Sequence, residues 1–511
     1  MFNRVSAETL QPRLDADYYK KEFIENDRLL RVAGAVRLAS LIDTVKSSYG
    51  VLPKSEEYVL SGVPLIRGGD LSFGQIKPPE VHAPTSYAGG KGTAYEGDVL
   101  ILIKGACIDG PEGVARVSEN ERGFIFNGSC YRLAFKNREV DGYFFIAYSQ
   151  TRQFLMQKKR QVANTGISYN DEDSILGYLL PELESVTKKY IGDKVRQAER
   201  LRAWANLAES SVTRHHQALV PSQLTLNFAK RVRLVSPVRM SERLDAHFYP
   251  GVVDDYLRLH QGKFKPLGKL CTTIYNGQTQ SETSSANSCK QITVTNLSSS
   301  FLGGTPRDVE MPGKKEKFLK PYDILMCNAA HNKAYIGKDL TFVHSEAAIL
   351  PSTEVMTLRV DRNQVPASYV RAYLLTKLGY VQIQSTIRGI TAHSYPDDMA
   401  LLDIFVPELE DKYKEEWFAC DEKLALAGKA CEIATQLTNA AKSLVEALIE
   451  GQLAEADLIA AEQALQAGND QPDRQILNRL KTDGVDGRGQ ALFSDIDQLY
   501  RLLEQANEPA G

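Results

Sequence analysis

A chain of 511 residues with 43% hydrophobic content is globular and too long for one ordinary core, so two or more domains are expected. Its net charge of −3 taken whole argues against nucleic acid, but eleven Asp/Glu against five Arg/Lys fall in residues 451–511, which leaves +3 on residues 1–450, a body compatible with a DNA partner. No apolar run approaches the roughly 20 residues of a membrane span, and the opening MFNRVSAETLQPRLD has no apolar signal core; a cytoplasmic protein is expected.

In chain order, RLDADYY at residues 13–19 comes first, followed by LASLIDTV with Leu41, VPLIRGGDLSFGQI, and YEGDVLILI with Asp98. The run Val99 to Ile103 has the length of a buried strand. GYFFIAYSQTRQFL, with Tyr143, has helical apolar spacing; the polar NTGISYND follows, and PELE closes the segment at residues 181–184. From Ser185 the chain is free of proline for some thirty residues, which predicts a long helix with a thin seam at Ile191, Val195, Ala198, Ala205 and Val212. LVPSQLTLNFAKRVRLVSPVRM, with two prolines and a basic cluster, reads as a linker.

The landmarks then recur in the same order. RLDAHFY places Tyr249 230 positions after Tyr19, LGKLCTTI places Leu270 229 after Leu41, KPYDILMCN places Asp323 225 after Asp98, and ASYVRAYLLTKLGY places Tyr369 226 after Tyr143. RGITAHSYPDD sets Gly389 near the counterpart of Gly166, and a second PELE ends at Glu410. This order predicts an internal duplication of an α/β (α+β) domain. The second copy runs into a helix whose Leu426, Ala430, Ile433, Leu437, Ala440 and Leu444 step by 4, 3, 4, 3 and 4, a coiled-coil seam. Two such seams most simply pack on each other as an antiparallel pair; the alternative is that each helix lies on its own domain. The expected organisation is a first domain over 1–184, a long helix over 185–218, a linker over 219–239, a second domain over 240–410, a second long helix over 411–450, and an acidic helical extension over 451–511, which carries no chemical signal.

Catalytic signatures are missing: the sequence contains no GxxxxGK[ST], HExxH or GxSxG, and no Asn/Asp-Pro-Pro-Tyr of adenine methyltransferases. The seven cysteines (Cys107, Cys130, Cys271, Cys289, Cys327, Cys420, Cys431) form no CxxC pair and read as buried fillers. His215-His216 reads as a solvated helix face rather than a metal site. A non-catalytic chain with no metal and no cofactor of its own is expected.

Polar loops carry the candidate contacts. Lys158, Lys159 and Arg160 precede Asn164, Thr165, Ser168, Tyr169 and Asn170, either a clamp with cations on phosphates and amides on base edges, or a solvated loop. Arg388, Thr391, His393, Ser394 and Tyr395 hold the same place in the second copy. Arg67 and Lys104 adjoin glycines that would let backbone approach phosphate, although structural turns are the commoner use. Asn296 stands where the first copy has its Arg67-Gly68-Gly69 turn, and Asn328, His331, Asn332 and Lys333 form the denser cluster, better suited to bases. The repeated RLDA segments are expected to be structural or to dock a partner, since domains that read different sequences would not share a reader.

RLDADYY, VPLIRGGDLSFGQI, YEGDVLILIKGA and PELE, and then RLDAHFY, QITVTNLSSSFLGG, KPYDILMCNAA and PELE, together resemble the specificity subunit of type I restriction-modification systems over about residues 10–450. The second copy departs from the pattern at Thr293 to Asn296 and at Tyr322, both PELE segments lack the family's glutamine, and the tail is extra. The resemblance implies two target-recognition domains that each read half of a split double-stranded DNA target, helices that hold the halves apart, two docked methyltransferase subunits that carry S-adenosylmethionine and methylate adenine, and a nuclease or translocase that can join. A related methylation-associated phage-defence system fits the same build. The rival class is a non-catalytic protein-binding scaffold of a defence complex.

Overall fold

Four consecutive apolar residues cannot alternate between a wet and a dry face, and the strand Val99–Leu102 is buried at every position. In the computed structural model, residues 10, 15–105, 108–162, 169–221, 235, 240, 243–260, 262–285, 287–313, 317–345 and 348–507 are described. They form a mixed helix-and-sheet protein in two compact units, residues 1–200 with 433–507, and residues 201–432. No helix among them is long and apolar enough to cross a membrane.

In the first unit, an antiparallel sheet runs in the order Ser48–Tyr49, Cys130–Leu133, Val99–Leu102, Val114–Arg116. Val63–Ile66 pairs antiparallel with His82–Ala83 and parallel with Ile125–Phe126. Between the two sheets Ile66, Leu100, Leu102, Val117 and Phe126 form a core. Val36–Arg37 pairs with Leu179–Leu180 to bring the end of the domain back to its start.

The second unit has the same strand order: Cys271–Asn276, Val355–Val360, Ile324–Cys327, Leu340–Phe342. Ser288–Ile292 pairs antiparallel with Arg307–Glu310 and parallel with Ile349–Pro351, and Phe264–Pro266 pairs with Asp403–Phe405. Its core holds Ile292, Leu325, Val343 and Val355.

The repeated RLDA letters have a local reason. Asp15 accepts a hydrogen bond from the Tyr18 N–H at 3.1 Å and Asp245 from the Phe248 N–H at 3.1 Å, so each aspartate caps a single 3-10 turn. Arg243 donates to the Thr386 carbonyl and pairs with Asp398 at 3.2 Å. The second recurrent aspartate, Asp98 or Asp323, is buried behind a residue with positive φ: Gly97 at 82° and Tyr322 at 71°. Tyr322 holds this conformation under the Arg362 guanidinium, 3.6 Å from its ring, with its hydroxyl 2.7 Å from Glu422. Arg359 grips Asp323 through two bonds of 2.8 and 2.7 Å, while burial pushes that carboxyl above its ordinary pKa.

The long helices are Ser185–Ala218 and Asp411–Ile449. Ile191, Val195, Ala198, Ala205 and Val212 are buried on the first, and Ala430, Ile433, Leu437, Ala440 and Leu444 on the second. At the start of the second seam the expectation needs correction: Leu426 is half-buried, while Leu424 and Ala427 are fully buried. From Ile433 onward Ala434, Ala441 and Val445 are buried as well, so this helix is covered on a face wider than a two-position seam.

The extension is bonded to the first long helix. Its helices Glu455–Gln466, Gln471–Arg479 and Ile496–Gln505 belong to the first unit. Buried Asp473 accepts from the Lys194 ammonium at 2.7 and 2.8 Å and from the Tyr190 and Tyr500 hydroxyls, each at 2.5 Å. Lys189 pairs with Glu462 at 2.6 Å. The tail's acidity is thus spent partly on lysines of the first long helix.

Candidate nucleic-acid interface

Two loops far apart in sequence meet in the second unit. Ala329–Ala330 pairs with Ala392–His393, and the Ser394 N–H donates to the Asn328 carbonyl at 2.8 Å. Arg388 and His393 exchange backbone hydrogen bonds of 2.9 and 3.1 Å across a tight turn. Gly389, at φ 88°, makes the turn possible, and Ile390 stands fully exposed at its tip. Around it the surface presents His331, Asn332, Lys333, Tyr335, Arg388, Thr391 and Tyr395, all exposed, with His393 half-buried. Arg388 lies 4.4 Å from the Tyr395 ring centroid and pairs with Asp398 at 3.2 Å, the carboxylate that Arg243 also holds. The His393 ring stacks on Tyr395 at 6.2 Å. Asn332 accepts from the Ala334 N–H at 3.0 Å and so caps the turn that carries Lys333.

The first unit makes the same clasp. Lys104 bridges to Tyr169, and the Asn170 N–H donates to the Ile103 carbonyl at 2.8 Å. Tyr169 and Lys159 are exposed and Lys104 is half-buried. The Tyr169 hydroxyl lies 3.5 Å from that of Tyr49, whose acidity is lowered first by burial and then by this neighbour.

Several expected contact residues are occupied elsewhere. Lys158 is fully buried on the Phe154 face of its helix and donates to the Gly110 carbonyl at 2.6 Å. Arg160 donates to the Tyr18 carbonyl at 3.0 Å and lies over the Tyr18 ring at 4.1 Å, fastening the first RLDA turn. Asn170 is buried against the Tyr178 hydroxyl, Asn328 against the Thr353 carbonyl, and Ser394 against Thr386. Asn296 closes its own turn, accepting from the Thr293 N–H at 2.9 Å and donating to the Gly303 carbonyl at 2.9 Å. Arg67 is half-buried beside Asp70, which accepts from the Arg67 N–H at 2.7 Å in the matching turn of the first unit. These side chains build the loops rather than project from them. Asn164, Thr165 and Ser168 lie outside the described residues. Ile390 and Tyr335 were missed from sequence; an isoleucine within a polar loop, written in both TGIS and RGIT, was the available signal.

No family model and no curated protein matches the chain. Among solved structures it is similar to type I restriction-modification S subunits over most of its length. The S subunit from M. genitalium matches at 13% identity and TM-score 0.36, over 84% of this chain and 95% of that one. The HsdS subunit from Thermoanaerobacter tengcongensis matches at 16% identity and TM-score 0.27, over 82% and 97%. A chain from a structure addressing complex assembly and conformational transition of the type I R-M system matches at 15% identity and TM-score 0.28, over 82% and 98%.

Proposed function

We propose that this chain is a non-catalytic DNA-specificity subunit, in which residues 1–184 and 240–410 are tandem target-recognition domains that each read half of a bipartite double-stranded target. The observation that carries this reading is the clasp made twice at matching strand ends, with different side chains presented by each copy. A shared scaffold with unlike presenting groups suits two half-sites of unlike sequence. In the second unit, His331, Asn332 and His393 supply base-edge donors and acceptors, Lys333 and Arg388 face phosphate, and Tyr335, Tyr395 and Ile390 offer stacking and apolar contact.

The long helices act as an antiparallel coiled coil that separates the halves. Support comes from neighbours within each unit. In the second, the ligating atoms of His215, His216 and Cys420 lie within 4.8 Å of one another, which sets the end of the first helix beside the early part of the second. In the first, the Glu184 N–H donates to Glu455, which places the start of the first helix by the segment that follows the second. Two methyltransferase subunits, carrying S-adenosylmethionine, dock on this helical region and methylate adenine; a nuclease or translocase can join, and the complex works in the cytoplasm.

Mapping methylated adenine in host DNA with and without this chain, together with gel shifts of its purified complex, tests the reading. One bipartite methylated sequence should disappear on deletion. Equal binding to every duplex and no lost methylation would overturn it, and stable capture of a protein partner without any DNA shift would support the scaffold instead.

A further inference from the structure

The His215-His216 pair is not a solvated face. His215 is exposed, but His216 is fully buried, one helical turn beyond Val212 and on the same seam. Its Nε2 lies 2.9 Å from the Ser368 hydroxyl oxygen, and the Ser368 hydroxyl donates to Asp421 at 2.6 Å. Asp421 also accepts from the Ala367 and Ser368 N–H groups and from Arg362, so it is an acceptor throughout. The serine proton therefore points to the carboxylate, and the serine oxygen must receive a proton from His216 Nε2. This fixes the tautomer and leaves the lone pair on Nδ1.

That Nδ1 is buried and has no hydrogen-bond partner among the described residues. Interiors ordinarily satisfy such an atom. Cys420, itself buried, and His215 complete a cluster whose ligating atoms all lie within 4.8 Å of one another. A carboxylate and a hydroxyl backing a histidine that lies beside a thiol is an arrangement by which proteins orient metal ligands.

We propose that His215, His216 and Cys420 bind a zinc ion that ties the end of the first long helix to the early part of the second within the second unit. Two imidazoles and a thiolate suit zinc, with a fourth, solvent-side position left open next to exposed His215. Bonds of about 2.0–2.3 Å in a tetrahedral site set ligands about 3.3–3.8 Å apart. With separations of no more than 4.8 Å, the cluster contracts by at most about 1.5 Å on binding, a movement the exposed His215 ring can supply. Coordination replaces the S–H bond of Cys420 with a metal–sulfur bond and releases one proton to solvent. The site is independent of the DNA-reading assignment.

The test uses the untagged full-length chain, stripped with chelator and titrated with Zn²⁺ or Co²⁺ alone. One equivalent of metal per chain is expected by elemental analysis, with a sulfur-to-cobalt charge-transfer band and the visible spectrum of a four-coordinate ion. Cys420→Ser should lose the charge-transfer band, and His215→Ala, at an exposed position that leaves packing intact, should weaken binding at least tenfold. Failure of the wild-type chain to retain either ion, or unchanged affinity and spectrum in both Cys420→Ser and His215→Ala with circular dichroism matching wild type, would overturn the proposal.

Discussion

The Ser394 N–H donates to the Asn328 carbonyl at 2.8 Å, joining a loop that exposes His331, Asn332 and Lys333 to one that exposes Ile390 and Thr391. The bond is between backbones, as is its counterpart from Asn170 to Ile103, so it makes no demand on the side chains presented nearby. Recognition and scaffold are separable at this point.

A first prediction follows from that separation. Lys333→Ala and Arg388→Ala should weaken binding to all DNA sequences and each lower the salt slope of log affinity by about 1, with the melting temperature unchanged in Lys333→Ala, whereas Arg388→Ala also gives up its pair with Asp398. Asn328→Ala, by contrast, removes the donor to the Thr353 carbonyl inside the clasp and should cost about 1–3 kcal/mol of stability. Fluorescence anisotropy across a salt series and urea denaturation read the two effects. Loss of stability in Lys333→Ala would contradict the division.

Tyr322 gives a second. Its φ of 71° favours glycine, while its ring and hydroxyl are held by Arg362 and Glu422. Tyr322→Ala keeps the backbone cost, about 1–2 kcal/mol, and loses both contacts. Tyr322→Gly loses the contacts but relieves the backbone. The glycine variant should be the more stable of the two by about 1 kcal/mol in denaturant melts.

The extension gives a third. Lys194 and Asp473 are both buried, so removing one leaves the other as an uncompensated charge. Asp473→Ala or Lys194→Met alone should cost about 3–5 kcal/mol, and the double variant clearly less than the sum of the two. A double-mutant cycle by urea unfolding measures this directly.

A fourth concerns acid. Burial opposes ionisation of Glu432, but hydrogen bonds from His344 at 3.1 Å and Lys429 at 2.9 Å dominate and lower its pKa to about 2. A depressed folded-state pKa contributes stability that is present above the unfolded value, about 4.3, and is lost as pH falls toward 2. The wild-type chain should therefore lose stability across this window, and Glu432→Gln should show a shallower dependence there while being less stable at neutral pH.

Much of the fold was legible because the duplication fixes corresponding landmarks. Asp98 and Asp323, or Tyr143 and Tyr369, recur at nearly one offset, and strands and helices fall where those offsets place them. The interface was less legible, since residue type does not reveal which polar side chain a loop uses to hold itself together. Asn296, Asn328 and Ser394 look like readers in one dimension and are internal struts in three. Lys158 could have been assigned correctly: it follows Phe154 by four residues and shares its buried helical face. His216 follows Val212 by the same interval. Charge counting registered the acidity of the tail but not that Asp473 would sit inside, because its partners Tyr190 and Lys194 lie nearly three hundred residues earlier.

The division of the chain into residues 201–432 and a unit assembled from residues 1–200 and 433–507 sets an order of events during synthesis. The residues of 201–432 have all been made once Glu432 is added, whereas residues 1–200 wait for residues 433–507. At about 5–20 residues per second the final segment through Asn507 takes roughly 4–15 s to emerge. Until Asp473 is added Tyr190 and Lys194 lack their carboxylate, so the unit begun first is the later of the two to have all its residues.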